Sequence, residues 1–186
     1  MGLQQPNRRQ LPERSQKLRH RPLVNERRPR ARASAVLLAL KFIATLTGAI
    51  FAGAALYVNL VEHPARMTLD TRVAALEWAP AYARGTWMQA PLALLSLLAG
   101  LGAWWLGAGA GWALAAVLIG AVVPFTFLAI MPTNRALQAP GRDLASGETR
   151  TLLERWAQLH AVRTVLSLAA TVLYIALALV GNAPGV

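Results

Sequence analysis

FIATLTGAIFAGAALYVNLV, residues 42–61, decides the fold. These 20 residues carry no charge, and a helix of that length, rising about 1.5 Å per residue, crosses the roughly 30 Å of a bilayer's hydrocarbon. The apolar run starts at Ala35 and is interrupted only by Lys41, whose side chain can snorkel back to the interface. A cleaved signal peptide is the competing reading, because a basic region precedes an apolar run with small residues at 51–55; the run is too long and the basic region too extended for it. Three further apolar stretches of crossing length follow, at about residues 88–106, 112–131 and 159–180. The expected fold is therefore an all-α membrane protein, a four-helix transmembrane bundle running up-down-up-down over residues 35–181. The GAGAG linker at 107–111 is short and flexible, which fits an antiparallel hairpin between spans two and three.

Charge is sorted along the chain as in a membrane protein. Of the 19 Lys and Arg, ten precede Ala33, and only Lys41 and Arg163 fall inside hydrophobic stretches. Charge at bilayer depth costs several kcal/mol, and a soluble domain has no reason for such sorting. Residues 1–34 are rich in Arg, Gln and Pro and are expected to form a disordered tail, with too little apolar surface to offset the entropy of ordering. The net charge of +11 reads as topogenesis or attraction to anionic lipid rather than nucleic acid binding, since the arginines precede a span directly. The chain has no cysteine, which excludes disulfides, thiolate zinc sites, iron–sulfur clusters and cysteine nucleophiles. At 186 residues, 55% of them hydrophobic, one domain is the default.

Orientation follows from the basic residues. The tail with Lys41 carries eleven, against three in residues 62–87 and four in residues 132–158. Both termini are therefore expected in the cytosol, and the two long loops on the far side of the cell membrane. Trp104, Trp105 and Trp112 should mark the inner interface, Trp87 and Trp156 the outer one. Small-residue pairs at Ala49/Gly53, Ser96/Gly100 and Ala116/Gly120 are candidates for close helix packing. Pro124 should kink the third span, with Thr126 available to satisfy freed backbone groups.

Polar residues gather at one end of such a bundle. Glu62 and His63 close the first span, Gln89 opens the second, Asn134 follows the third, and His160 and Arg163 open the fourth. Trp156, His160, Arg163 and Ser167 are spaced i, i+4, i+7, i+11 and share a helical face. That stripe also fits an interfacial anchor, but Arg163 lies several residues inside its span and would seek a partner, Glu62 or Glu154. In Glu62-His63-Pro64 the proline stops the helix and holds the imidazole near the mouth.

Four motifs in order, AGAALYVNLVEHPAR (52–66), MQ (88–89), MPTN (131–134) and Trp156-x3-His160-x2-Arg163, resemble the anthrone oxygenase-like family of small four-span membrane proteins, whose bacterial members are mostly described as a domain of unknown function. The resemblance covers about residues 35–180. It implies oxidation of an anthrone to an anthraquinone by molecular oxygen with no bound cofactor. On that reading the chain is a redox enzyme acting on a lipophilic aromatic molecule at the extracytoplasmic interface. His160 or His63 would be the base, Arg163 and Asn134 the donors to a developing oxyanion, and Glu62, Gln89 and Trp156 would contact substrate, Trp156 as a stacking wall. The alternative is a non-enzymatic membrane subunit or small-molecule-binding protein in which the polar cluster only closes the bundle. A third reading pairs His63 and His160 as axial imidazoles of a metal or haem, without further motif support.

Overall fold

The computed structural model describes Gly2 and residues 24–181, with side chains from Ala31 onward. Most of the expected disordered tail, residues 3–23, lies outside the described residues. From Val24 the backbone is helical, earlier than the expected boundary at Ala35. In chain order, α1 spans Val24–Tyr57, α2 His63–Arg66, α3 Thr71–Ala103, α4 Ala110–Gly120, α5 Val122–Phe125, α6 Met131–Leu137 and α7 Gly147–Val180. Four continuous helical stretches, Ala31–Arg66, Thr71–Ala108, Ala110–Leu137 and Gly147–Val180, are each long and apolar enough to cross a membrane. The chain forms the expected all-α, four-span bundle.

The bundle is built inside out relative to a soluble protein. Its interior is mostly small: Ala44, Ala55, Ala93, Ala99, Ala103, Ala115, Ala116 and Ala170 are all buried. Leu46, Leu94, Leu98, Leu114, Leu128, Val165 and Val172 point outward. Lipid is as apolar as leucine, so large aliphatics gain nothing by turning in, whereas small ones let the helices approach. Of the three small-residue pairs, two serve this way. A Cβ on Gly100 would lie 2.1 Å from the Tyr174 hydroxyl, and one on Gly120 would lie 2.9 Å from Leu97. Gly53 has nothing within 4 Å, so its pair does not pack. Polar groups join the helices in the same interior: Ser96 Oγ donates to the Ala44 carbonyl (2.9 Å) and Tyr174 Oη to the Ser96 carbonyl (3.2 Å).

The stretches expected as long loops are largely helix. α3 starts at Thr71, where the Asp70 carboxylate accepts from the Arg72 amide (2.9 Å). α7 starts at Gly147, where Ser146 Oγ accepts from the Thr149 amide (3.2 Å). Falling hydropathy ends a membrane crossing without ending a helix, and residues 71–87 bury Ala74, Ala75 and Trp78 against Leu153, Trp156 and Ile130. Only Met67–Asp70 and residues 138–146 connect the spans at this end. Arg150 of α7 ties down the first connection by donating to the Met67 and Leu69 carbonyls. At the opposite end Gly107 (φ 92°) and Gly109 (φ 97°) take left-handed backbone and close the expected hairpin.

The tryptophans divide differently from the expected belts. Trp87, Trp104 and Trp105 are exposed, as interfacial residues are. Trp112 and Trp156 are core residues instead: Trp112 packs on Tyr174 (centroids 5.2 Å apart), with Lys41 Nζ 5.4 Å from its ring.

Two spans widen into a π turn just before a proline. One covers Val58–Glu62 and ends with the His63 amide donating to the Val58 carbonyl, before Pro64. The other covers Thr126–Ile130 and ends with the Met131 amide donating to the Thr126 carbonyl, before Pro132. Each proline ring would clash with the carbonyl four residues back in a regular helix, and the inserted residue relieves that clash. Around Pro124 the third span is also broken at Ala121, and Thr126 Oγ1 donates to the Val122 carbonyl (2.6 Å).

Candidate functional site

At the end of the bundle bearing both X-Pro turns, the spans enclose a cavity of about 410 Å³. Val58, Glu62 and Arg66 face it from one helix face of the first span, Trp78, Tyr82 and Gln89 from α3, and Trp156, His160 and Arg163 from α7. Five of the seven expected site residues, Glu62, Gln89, Trp156, His160 and Arg163, thus share one cavity. His63 and Asn134 do not line it. His63 directly follows the π turn, which shifts the helical register there. His63 is buried with its ring centroid 5.4 Å from that of Trp156, and Arg66 Nη1 donates to its Nδ1 (3.3 Å). Asn134 is buried on α6, and neither of its amide atoms has a hydrogen-bond partner.

His160 is held by a residue that the sequence reading passed over. Asn59 lies inside the first π turn, and its Nδ2 donates to the Ala157 carbonyl (3.1 Å). That bond fixes the amide orientation, so Asn59 Oδ1 faces α7, where it accepts from Thr164 Oγ1 (2.6 Å) and from His160 Nδ1 (2.6 Å). A carbonyl oxygen can only accept, so the His160 proton resides on Nδ1 and the Nε2 lone pair is left available. An asparagine inside a span was the available signal, because polar side chains at that depth usually bond across helices.

Arg163 does not meet either expected carboxylate. Glu62 pairs with Arg66, which also pairs with Glu77, and Glu154 pairs with Arg150 (3.8 Å). Arg163 Nη2 donates to the amide oxygen of buried Gln89 (2.8 Å), and its guanidinium lies over the Phe51 ring (5.4 Å). Its Nε is buried without any partner. Among the described residues no carboxylate lies within ion-pair distance of Arg163; the one carboxylate in the cavity lining, Glu62, is paired with Arg66. Much of the remaining lining is aromatic. Trp156 stacks on His160 (4.9 Å, 30°) and meets Trp78 edge-on (5.9 Å, 83°), and Trp78 stacks on Tyr82 (5.3 Å, 8°). Among the described residues no three His, Cys, Asp or Glu side chains are grouped to hold a metal ion.

Fold and site together define a class: multi-pass membrane proteins with an aromatic-walled cavity closed at one end of a four-span bundle. The chain belongs to the anthrone oxygenase family. The family model described as Anthrone oxygenase matches residues 78–173. The chain is 37% identical over 142 residues, 70% of its own length and 87% of the relative's, to "Anthrone oxygenase tpcL" of Aspergillus fumigatus. It is also 38% identical over 61 residues, 28% of its length and 35% of the relative's, to "Anthrone oxygenase" of Claviceps purpurea. No solved structure matches it.

Replacing Asn59 by Ala should release the His160 ring. ¹⁵N spectra of the histidine side chains should show His160 as a single Nδ1–H tautomer in the unsubstituted protein and as a mixture in Asn59→Ala, with about 1–3 kcal/mol of stability lost for the stranded donors. An unchanged tautomer in the variant would refute this assignment.

Proposed function

We propose that the chain is an oxygenase that needs no bound cofactor and oxidises the acidic ring CH₂ of a lipophilic, anthrone-like phenolic to a ketone. The observation that carries this reading is Arg163, a cation with no carboxylate partner, lining the same cavity as the free Nε2 of His160 and the rings of Trp78, Tyr82 and Trp156. His160 Nε2 takes a proton from the CH₂ flanked by the two rings. The electron pair left behind delocalises onto the existing ketone oxygen, and Arg163, held by Gln89, stabilises that oxyanion. Trp156, Trp78 and Tyr82 supply flat apolar surface for the fused rings. The carbanion passes one electron to dioxygen, and the resulting radical and superoxide combine into a C–O bond. The hydroperoxide then loses water as its remaining C–H proton leaves and the O–O bond breaks. Substrate and one dioxygen give quinone and one water, so no external reductant is consumed. His160 is preferred to His63 as the base because His63 lies outside the cavity lining and its Nδ1 already accepts from Arg66. Asn134 lies outside the lining too; of the arginines that line the cavity, Arg66 is paired with Glu62 and Glu77 and Arg84 is exposed, so Arg163 is assigned as the donor.

With an anthrone and air, the purified protein should form the quinone above the spontaneous rate. His160→Gln should lower kcat/KM by about 10²–10⁴-fold, the range of a general base, and Arg163→Leu by about 10²–10³-fold, the range of an oxyanion donor. No enzyme-dependent quinone from any of several anthrones would overturn the proposal. If both variants kept full activity, the roles assigned here would fall. The alternative, a small-molecule-binding membrane protein, would bind such compounds without turnover.

We further propose that both termini lie in the cytosol and that the cavity lies toward the outer leaflet of the cell membrane. The support is the excess of Lys and Arg before the first span. Because the chain has no cysteine, an Ala145→Cys variant should react with an impermeant maleimide on intact cells, and Ala110→Cys only after lysis. The reverse pattern would invert the topology.

A further inference from the structure

A second cavity, of about 110 Å³, adjoins the first and shares Tyr82, Thr86 and Arg163 with it. We propose that it is a dioxygen site that feeds the main cavity, an inference that rests on the oxygenase reading above.

Size and lining select the occupant. The volume falls well below the roughly 300 Å³ at which pockets for organic ligands begin. Phe51, Ala93, Val122, Val123, Phe127 and Met131 make most of its wall. The hydroxyl of Thr126, which also lines it, is already donated to the Val122 carbonyl (2.6 Å). The other polar side chains, Tyr82, Thr86 and Arg163, lie on the wall shared with the main cavity; away from it the lining offers only the Thr126 oxygen, too little for a buried water, which needs two to four polar partners, so that part favours an apolar guest. Access comes from the membrane side. Ala90 and Phe127 belong to the lining and are both exposed, Phe127 at 63%, so the cavity opens sideways between the second and third spans. Dioxygen is apolar and dissolves better in hydrocarbon than in water, so this mouth faces its richer source.

The shared wall gives the cavity its use. A fused-ring substrate filling the main cavity would leave little room there for dioxygen, whereas the small cavity meets it at Arg163. Dioxygen waiting beside Arg163 sits next to the cation that the proposed oxyanion also faces. The first electron transfer converts carbanion and dioxygen into a radical and superoxide, and the guanidinium would stabilise the superoxide charge as the two combine.

The test is to label the methionine methyl groups with ¹³C and record their relaxation in detergent under oxygen and under nitrogen. Met131 lines the small cavity, while Met88 lines the main cavity and is 48% exposed, so it reports general access of oxygen. Met131 should show oxygen-dependent relaxation in excess of Met88. Ala93→Phe, which fills the cavity, and Ala90→Leu, which blocks its mouth from an exposed position, should each remove that excess. The same variants should raise KM for dioxygen by about fivefold or more while KM for the anthrone shifts by less than about twofold. If Ala93→Phe does not fold, the exposed Ala90→Leu position carries the test. The inference is overturned if Met131 shows no excess, if both variants retain it, if KM for dioxygen does not move, or if Met131 shows contacts with a lipid acyl chain lodged in the cavity. A protein that forms no quinone at all would instead remove the oxygenase reading, and the relaxation contrast would still report whether the cavity holds dioxygen.

Discussion

Arg163 is carried into the bundle without a carboxylate. A half-buried cation of that kind is costly, because desolvation removes much of its water and an amide oxygen replaces only part of what was lost. The surrounding structure reduces the cost without cancelling the charge: Gln89 accepts one hydrogen bond, the Phe51 ring offers its face, and Nε remains bare. The nearby carboxylates are occupied elsewhere. Arg66 gathers both Glu62 and Glu77, which binds the end of the first span to α3 and keeps their negative charge off Arg163. A site arranged in this way favours a ligand that brings, or develops, negative charge while it is surrounded by apolar surface.

That arrangement depends on backbone features as much as on side chains. The π turn before Pro64 brings Asn59 to α7 and shifts the register at His63, which lies outside the cavity lining, so the two histidines play different parts although they lie close to the same indole. Asn59 in turn settles which nitrogen of His160 is free. The small interior residues let helices approach closely enough for Ser96 and Tyr174 to bond to backbone carbonyls of neighbouring spans. The polar end therefore stands on a tightly packed alanine-rich body, and its geometry can be held without a soluble domain.

Much of this was legible in the sequence. Four apolar stretches and a glycine-rich hairpin define the bundle, and odd and even spans must bring Glu62, Gln89, Trp156, His160 and Arg163 to one end. Other features were not legible because they depend on local departures from regular helix. Periodicity assumes 3.6 residues per turn, so it could not place His63 after an inserted residue or see Asn59 turn toward His160. Hydropathy marks where lipid ends rather than where a helix ends, so it reads the starts of α3 and α7 as loops. Trp112 and Trp156 were assigned to the interfaces by position along the chain, but their faces point inward. Glu62 and Glu154 are the expected partners of Arg163, but Arg66 and Arg150 take them.

The most direct measurement is a structure of the protein with a bound hydroxyanthraquinone, a ligand that has the shape of the proposed product and an oxygen able to carry negative charge. The ring system should lie against Trp156 and Trp78 with that oxygen within hydrogen-bonding distance of the Arg163 guanidinium, and Arg163→Leu should abolish binding. A ligand held on the lipid-facing surface, or bound equally well once the guanidinium is gone, would contradict the role given to Arg163.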